Sequence, residues 1–185
     1  MTDLVAWDRA TLAARTEEVL DVYADAMQVP RSAARSRRTV VAGHLDRDGL
    51  RAVAALDAGR LVGIGYGYLG TAGQWWHDQV RAALSTEQAD TWLDGSFEVC
   101  ELHVRPEHQG SGLGRRVLAE LLGGTPARTS VLTTPDAETR ARSFYRAGGW
   151  TELVGHLRFP GDPREFAVLG LHLAGASDPP QQLRR

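Results

Sequence analysis

Residues 103 to 116 read HVRPEHQGSGLGRR, with glycines at 110, 112 and 114. The apolar run SFEVCELHVRP leads into them, and a run with Leu113, Val117, Leu118, Leu121 and Leu122 on one side follows. A strand, a bare loop and a helix in that order constrain the fold more than any other stretch. The first amides of a helix have no intrahelical acceptor, and the helix dipole adds partial positive charge there. Such a loop is an anion site by geometry. A Walker loop needs Lys and then Ser or Thr after its last glycine, and Arg115-Arg116 stand there. A dinucleotide fingerprint needs G-x-G-x-x-G, and the spacing here is G-x-G-x-G. Turn glycines alone explain one or two of the three, not all of them.

The rest of the chain reads as mixed α/β. Residues 3–7 suggest a short strand, and 11–27 a helix with Leu12, Val19, Leu20, Tyr23 and Met27 at helical spacing, stopped by Pro30. A second helix is expected from about Ser32 to His44. Residues 50–70 read as two strands joined by a tight turn at 57–60. The series is then broken by WWHDQVRAAL, a helical insertion at about 74–93. After the strand at 96–106 and the glycine loop come a helix closed by Gly123-Gly124, a strand at 128–134, a helix at 136–148 and two last strands. Residues 1–173 are expected to form one domain. The polar tail ASDPPQQLRR is expected to be disordered, so 174–185 is set apart.

Apolar residues make up 43% of the chain and charged ones 24%, as in an ordinary soluble domain. A formal charge of −2 gives no global pull toward nucleic acid or anionic membrane. Every one of the 21 basic residues is arginine. One cysteine, Cys100, excludes an internal disulfide and fits a reducing cytosol. The histidines lack metal-site spacing, and no apolar run is long enough to span a membrane. The expectation is a cytoplasmic protein with no metal, nucleic acid or membrane partner.

Gln109-Gly110-Ser111-Gly112-Leu113-Gly114, preceded by ELHVRP, resembles the acetyl-CoA-binding motif of the GNAT superfamily of N-acetyltransferases. Gln109, Gly112 and Gly114 match it in type and spacing. ARSFYRAGGW is similar to a later motif of the same family, through Ala141, Phe144, Tyr145, Gly149 and Trp150. The resemblance implies a central, twisted, mostly antiparallel sheet flanked by helices and splayed after the strand at 96–105. It implies acetyl-CoA as co-substrate, with its diphosphate wrapped by Gln109, Gly110, Ser111, Gly112, Leu113, Gly114 and Arg115. The pantetheine arm would pair with Leu102, His103 and Val104. The family often places Asn seven residues before the tyrosine. Here that position is Glu138, with Thr139 as a substitute cofactor contact.

Acyl transfer to an amine poses two proton problems. An alkyl amine of pKa ~10.4 must lose a proton, and the departing thiolate needs one. The resemblance makes Tyr145 the donor to the thiolate; the bland reading is a core tyrosine beside Phe144. Strict alternation puts Glu98, Cys100, Leu102 and Val104 on one face of their strand, and Phe97, Val99, Glu101 and His103 on the other. A bulge, common in the family, would shift that division. Glu98 is the first choice for the base, acting through water, with Glu101 and His103 in reserve. A plain salt bridge to arginine is the competing reading for both glutamates. The Val104 amide is the oxyanion donor that the resemblance implies. Cys100 reads as a buried strand cysteine rather than an acyl carrier.

Tyr23, Trp75 and Trp76 are the candidates for the acceptor side, although such aromatics can equally pin the insertion to the core. The expected reaction is direct attack by a primary amine, on a small molecule first and on a peptide N-terminus or protein lysine second. The rival class is a non-catalytic acyl-CoA sensor. Relatives often dimerise, so a homodimer is an option.

Overall fold

Ala58 and Gly59 both take positive φ, 46° and 81°, and so close a two-residue hairpin between β2 (Arg51–Asp57) and β3 (Arg60–Leu69). That hairpin seeds one seven-stranded sheet. β1 (Asp3–Trp7) pairs antiparallel with β2, and β4 (Ser96–Val104) antiparallel with β3. β5 (Thr129–Pro135), β6 (Thr151–Leu157) and β7 (Phe166–His172) complete the order β1-β2-β3-β4-β5-β7-β6. Among the described residues only the β4–β5 junction is parallel. The computed structural model describes residues 2–173; the tail expected over 174–185 lies outside them.

Among the described residues eight α-helices lie on the two faces of this sheet, one of them starting at the glycine loop. α1 (Arg9–Ala14) and α2 (Thr16–Met27) divide the helix expected at 11–27. α3 (Arg31–Arg35) and α4 (Arg38–Leu45) divide the one expected at 32–44. The insertion is two helices, α5 (Trp75–Ala83) and α6 (Thr86–Trp92). Ser85 starts α6 with a capping box closed by Gln88, which satisfies two orphan amides reciprocally. α7 (Leu113–Leu122) follows the glycine loop, and α8 (Arg140–Ala147) precedes β6.

Leu113, Val117, Leu118 and Leu121 of α7 bury one stripe against Val53, Phe97, Val99 and Val104. Leu12, Val19 and Val22 pack on the opposite face against Ala52, Ala54, Ile64 and Tyr66. Val80, Ala89 and Leu93 of the insertion seal β5 and β7 through Val131 and Val168.

One irregularity in β4 reorders its side chains. Tyr66 pairs with Glu101 and Gly67 with Val99, leaving Cys100 as an extra residue in the strand. The strict alternation expected for 97–104 is therefore corrected. Phe97, Val99, Leu102 and Val104 pack with α7, whereas Glu98, Cys100, Glu101 and His103 contact the other layer. A Cβ on Gly67 would lie 2.1 Å from the Glu98 carbonyl, so the bulge closes only over a glycine.

Candidate active site

β4 and β5 pair through just three residues, Ser96 with Thr129, Phe97 with Ser130 and Glu98 with Val131. Beyond Glu98 they diverge. The gap opens into a cleft of about 490 Å³ lined by Leu102, His103 and Val104 of β4, the glycine loop, and Arg140, Ala141, Phe144 and Tyr145 of α8. Ala26 and Met27, at the end of α2, form its remaining wall.

The glycine loop presents amides to this cleft. Gly110 and Gly112 have φ of 80° and 82°, left-handed values that favour glycine. The first helical hydrogen bond runs from the Arg116 amide to the Gly112 carbonyl, at 3.1 Å. The amides of Leu113, Gly114 and Arg115 thus begin α7 without an intrahelical acceptor. Gln109 stiffens the loop: its Nε2 donates to the Val104 carbonyl at 2.8 Å, and its Oε1 accepts from Arg140 at 3.0 Å. Free amides, a helix N-terminus and the guanidinium groups of Arg115 and Arg140 suit a diphosphate. The slot between the parted strands suits an extended acyl-thioester arm. These features fit acetyl-CoA.

Tyr145 lines the cleft, packed edge-on against Phe144 and Trp150 with ring centroids at 5.1 and 5.4 Å. Burial, with Glu101 nearby, pushes its phenol well above the ordinary value, so the ring keeps its proton. His103 Nε2 lies 2.5 Å from Glu101 Oε2, and the Glu101 carboxylate also accepts from Arg37. Burial alone would raise the Glu101 pKa, but the His103 hydrogen bond and the Arg37 charge bring it down to about 2. Tyr23 meets the His103 ring edge-on at 5.1 Å, under the Arg37 guanidinium.

Glu98 does not line the cleft. It sits at the base of the strand fork, 2% exposed, with Oε1 accepting from His77 Nδ1 at 3.0 Å. Burial raises its pKa, and the His77 hydrogen bond opposes that rise. Cys100 is pushed well up by burial and by the Glu98 charge, which leaves a thiol rather than a nucleophilic thiolate.

Other expected site residues fall elsewhere. Thr139 caps α8, its hydroxyl accepting from the Arg142 amide at 3.1 Å, and Glu138 is exposed and paired with Arg146. Arg140, next in sequence, is the cleft residue instead. The Ser111 hydroxyl donates to the His108 carbonyl, and the Leu113 side chain is core, so their amides alone remain for a ligand. Trp76 pins the insertion through Nε1 to Thr133 Oγ1 at 3.3 Å. Trp75 is 55% exposed and stacks obliquely on Phe159.

Sequence reading missed Arg37, Arg140, Ala26 and Met27 as site residues. Arg140 directly follows the Glu138-Thr139 pair and carries the charge a diphosphate needs, which is the signal that was available. Away from the cleft, Asp136, His156 and Glu165 bring three ligating atoms within 4.8 Å of one another. Arg142 and Arg158 already pair with those carboxylates.

Known proteins share the fold and, in one case, a third of the sequence. Residues 16–149 match the profile of the acetyltransferase (GNAT) family. A GCN5-like protein acetyltransferase of Mycobacterium tuberculosis is 33% identical, over 84% of this chain and 90% of its own length. A GNAT-family acetyltransferase structure from Desulfovibrio desulfuricans superposes with a TM-score of 0.67 at 18% identity, covering 93% of this chain and 99% of that one. A Salmonella typhimurium structure described with its cofactor acetyl-CoA gives 0.60 at 14% identity, covering 97% and 98%.

The fold and the forked cleft are those of an acyl-CoA-dependent acyltransferase. This chain belongs to the GNAT family of acetyltransferases, enzymes that use acetyl-CoA. No helix among the described residues is long and apolar enough to cross a membrane.

Proposed function

We propose that this enzyme transfers the acetyl group of acetyl-CoA to a primary amine by direct attack in a ternary complex. The observation that carries this reading is the convergence of the glycine-loop amides, the β4–β5 fork and Tyr145 on one cleft. Bound there, acetyl-CoA supplies an activated thioester carbonyl. The loop amides and Arg140 hold the diphosphate, and Leu102, His103 and Val104 guide the arm along β4.

Tyr145 is the proton donor to the sulfur. Its raised pKa fits an acid that stays protonated until the thiolate develops. Glu98 is the proton acceptor for the amine, through water. Burial lifts its carboxyl toward the working pH, and its Oε2 makes no hydrogen bond to a described residue. Glu101 is a poor base at a pKa of about 2, and acts instead to orient His103. Tyr23, edge-on to His103, is the proposed contact for the acceptor.

A small-molecule amine is the first acceptor reading. A protein amine is the second, favoured by the printed description of the Mycobacterium tuberculosis relative as a protein acetyltransferase. Thiol release from acetyl-CoA across a panel of polyamines, aminoglycosides, amino acids and lysine peptides tests both. Release that depends on one amine class identifies the acceptor. Binding of acetyl-CoA without release for any amine would make the chain a sensor instead.

A further inference from the structure

The insertion has a role that packing alone does not account for. Its second helical residues could be held by apolar contacts, as Val80 and Trp76 are. Yet α5 sends a histidine into the sheet. His77 and Glu98 lie 21 residues apart in sequence, and both side chains are 3% exposed. A lone buried carboxylate is costly, and so is a lone buried imidazole; each justifies the other. The Glu98 carboxylate is only half satisfied, because Oε2 makes no hydrogen bond to a described residue.

The surroundings keep the pair in register. A Cβ at Gly70 would lie 2.6 Å from Glu98 Oε1, 2.8 Å from Ser96 Oγ and 3.0 Å from His77 Nδ1. The three polar atoms therefore converge where β3 ends on a bare Cα. Gln74, the residue before α5, fixes the helix start by donating from Nε2 to the Leu69 carbonyl at 3.2 Å.

We propose that His77 is a positioning residue for catalysis: it holds one oxygen of the Glu98 carboxylate and leaves the other to take the proton of the acceptor amine through water. This rests on the reading of Glu98 as the base. Groups from every packed element face that carboxylate: His77 of α5, Tyr68 of β3, Cys100 of β4, and Arg47 from the turn after α4. Among them His77 supplies the largest influence opposing the effect of burial. Its loss should therefore drive the Glu98 midpoint further up.

The test is a 13C NMR titration of the glutamate carboxyls in the full chain, with Glu98→Gln used to assign the signal. His77→Leu keeps buried volume without a donor, and His77→Asn keeps a donor in place of Nδ1. The Glu98 midpoint is expected to rise by about one pH unit in His77→Leu, the size of a lost hydrogen bond to a charged group. His77→Asn is expected to stay near the parent. In parallel, with spermidine and a lysine peptide as amine probes, the acid limb of kcat should move up by the same amount in His77→Leu while KM for acetyl-CoA holds. Equal midpoints in the Leu and Asn variants overturn the role of His77 and leave Glu98 as base. Full turnover in Glu98→Gln overturns the base itself, and with it the proposal.

Discussion

His103 Nε2 and Glu101 Oε2 lie 2.5 Å apart on one face of β4, two residues apart in the strand, and the bulge at Cys100 turns that face away from the α7 layer. Arg37 closes the other side of the carboxylate. The Glu101 pKa, ordinarily 4.5, is held at about 2 in the fold. A depressed carboxyl stabilises the fold fully above its unfolded pKa, and that contribution is lost as pH falls through the folded value. Glu101→Gln is therefore expected to cost about 2 kcal/mol at neutral pH, since the half-buried Arg37 and His103 both lose their carboxylate partner. Urea midpoints measured against pH check this. The gap between parent and variant should narrow from about pH 4.5 down to about pH 2.

Tyr145→Phe removes one hydroxyl from an otherwise unchanged ring packed between Phe144 and Trp150. If the phenol is the proton donor, kcat should fall by about 100-fold or more. Affinity for acetyl-CoA, read by calorimetry, should barely move. Unchanged turnover would leave Tyr145 as a wall of the cleft.

Gly112 has open space around the position a Cβ would take, but its φ is 82°. Gly112→Val should weaken acetyl-CoA binding by at least about tenfold, because a branched side chain both strains the left-handed backbone and projects where the diphosphate must approach. Gly114→Ala is the control. Its Cβ would meet Phe144 and Val104 at an ordinary 3.7 Å, so the backbone there tolerates a methyl.

Arg140 bonds Gln109 across the mouth of the loop at 3.0 Å. Arg140→Ala should raise KM for acetyl-CoA, and the remaining binding should depend less on salt, since one cation fewer meets the diphosphate. KM for the amine should not change. Salt-titrated kinetics with the best amine of the panel separate the two.

The chain contains no lysine, so no ε-amine of its own can be acetylated. Incubated with labelled acetyl-CoA and a lysine-bearing protein, the enzyme should stay free of lysine-linked label. Every acetyl-lysine found by mass spectrometry would then belong to the partner, which makes the protein-acceptor reading unusually clean to test.

Much of this was legible in the chain. The glycine loop, the strand before it and the motif around Tyr145 are local patterns, and local patterns survive folding. The insertion expected as one helical stretch is two helices, and the capping box of Ser85 and Gln88 that divides them was not read from the sequence. The bulge at Cys100 was not legible residue by residue, because no glycine or proline in β4 announces it; the glycine it needs, Gly67, is on the neighbouring strand. The break between α1 and α2 was equally hidden, since the Thr16 hydroxyl that bonds back to the Leu12 carbonyl at 3.0 Å looks like any helical threonine. Arg37 reaches Glu101 across 64 residues, and such pairings exist only once the sheet has formed.

The most direct measurement is a crystal structure of the enzyme with coenzyme A. The diphosphate is expected within hydrogen-bond distance of the amides from Gly110 to Arg115, and the sulfur in the fork beside Val104 and Tyr145. Coenzyme A bound elsewhere, with those amides making no contact to it, would contradict the account.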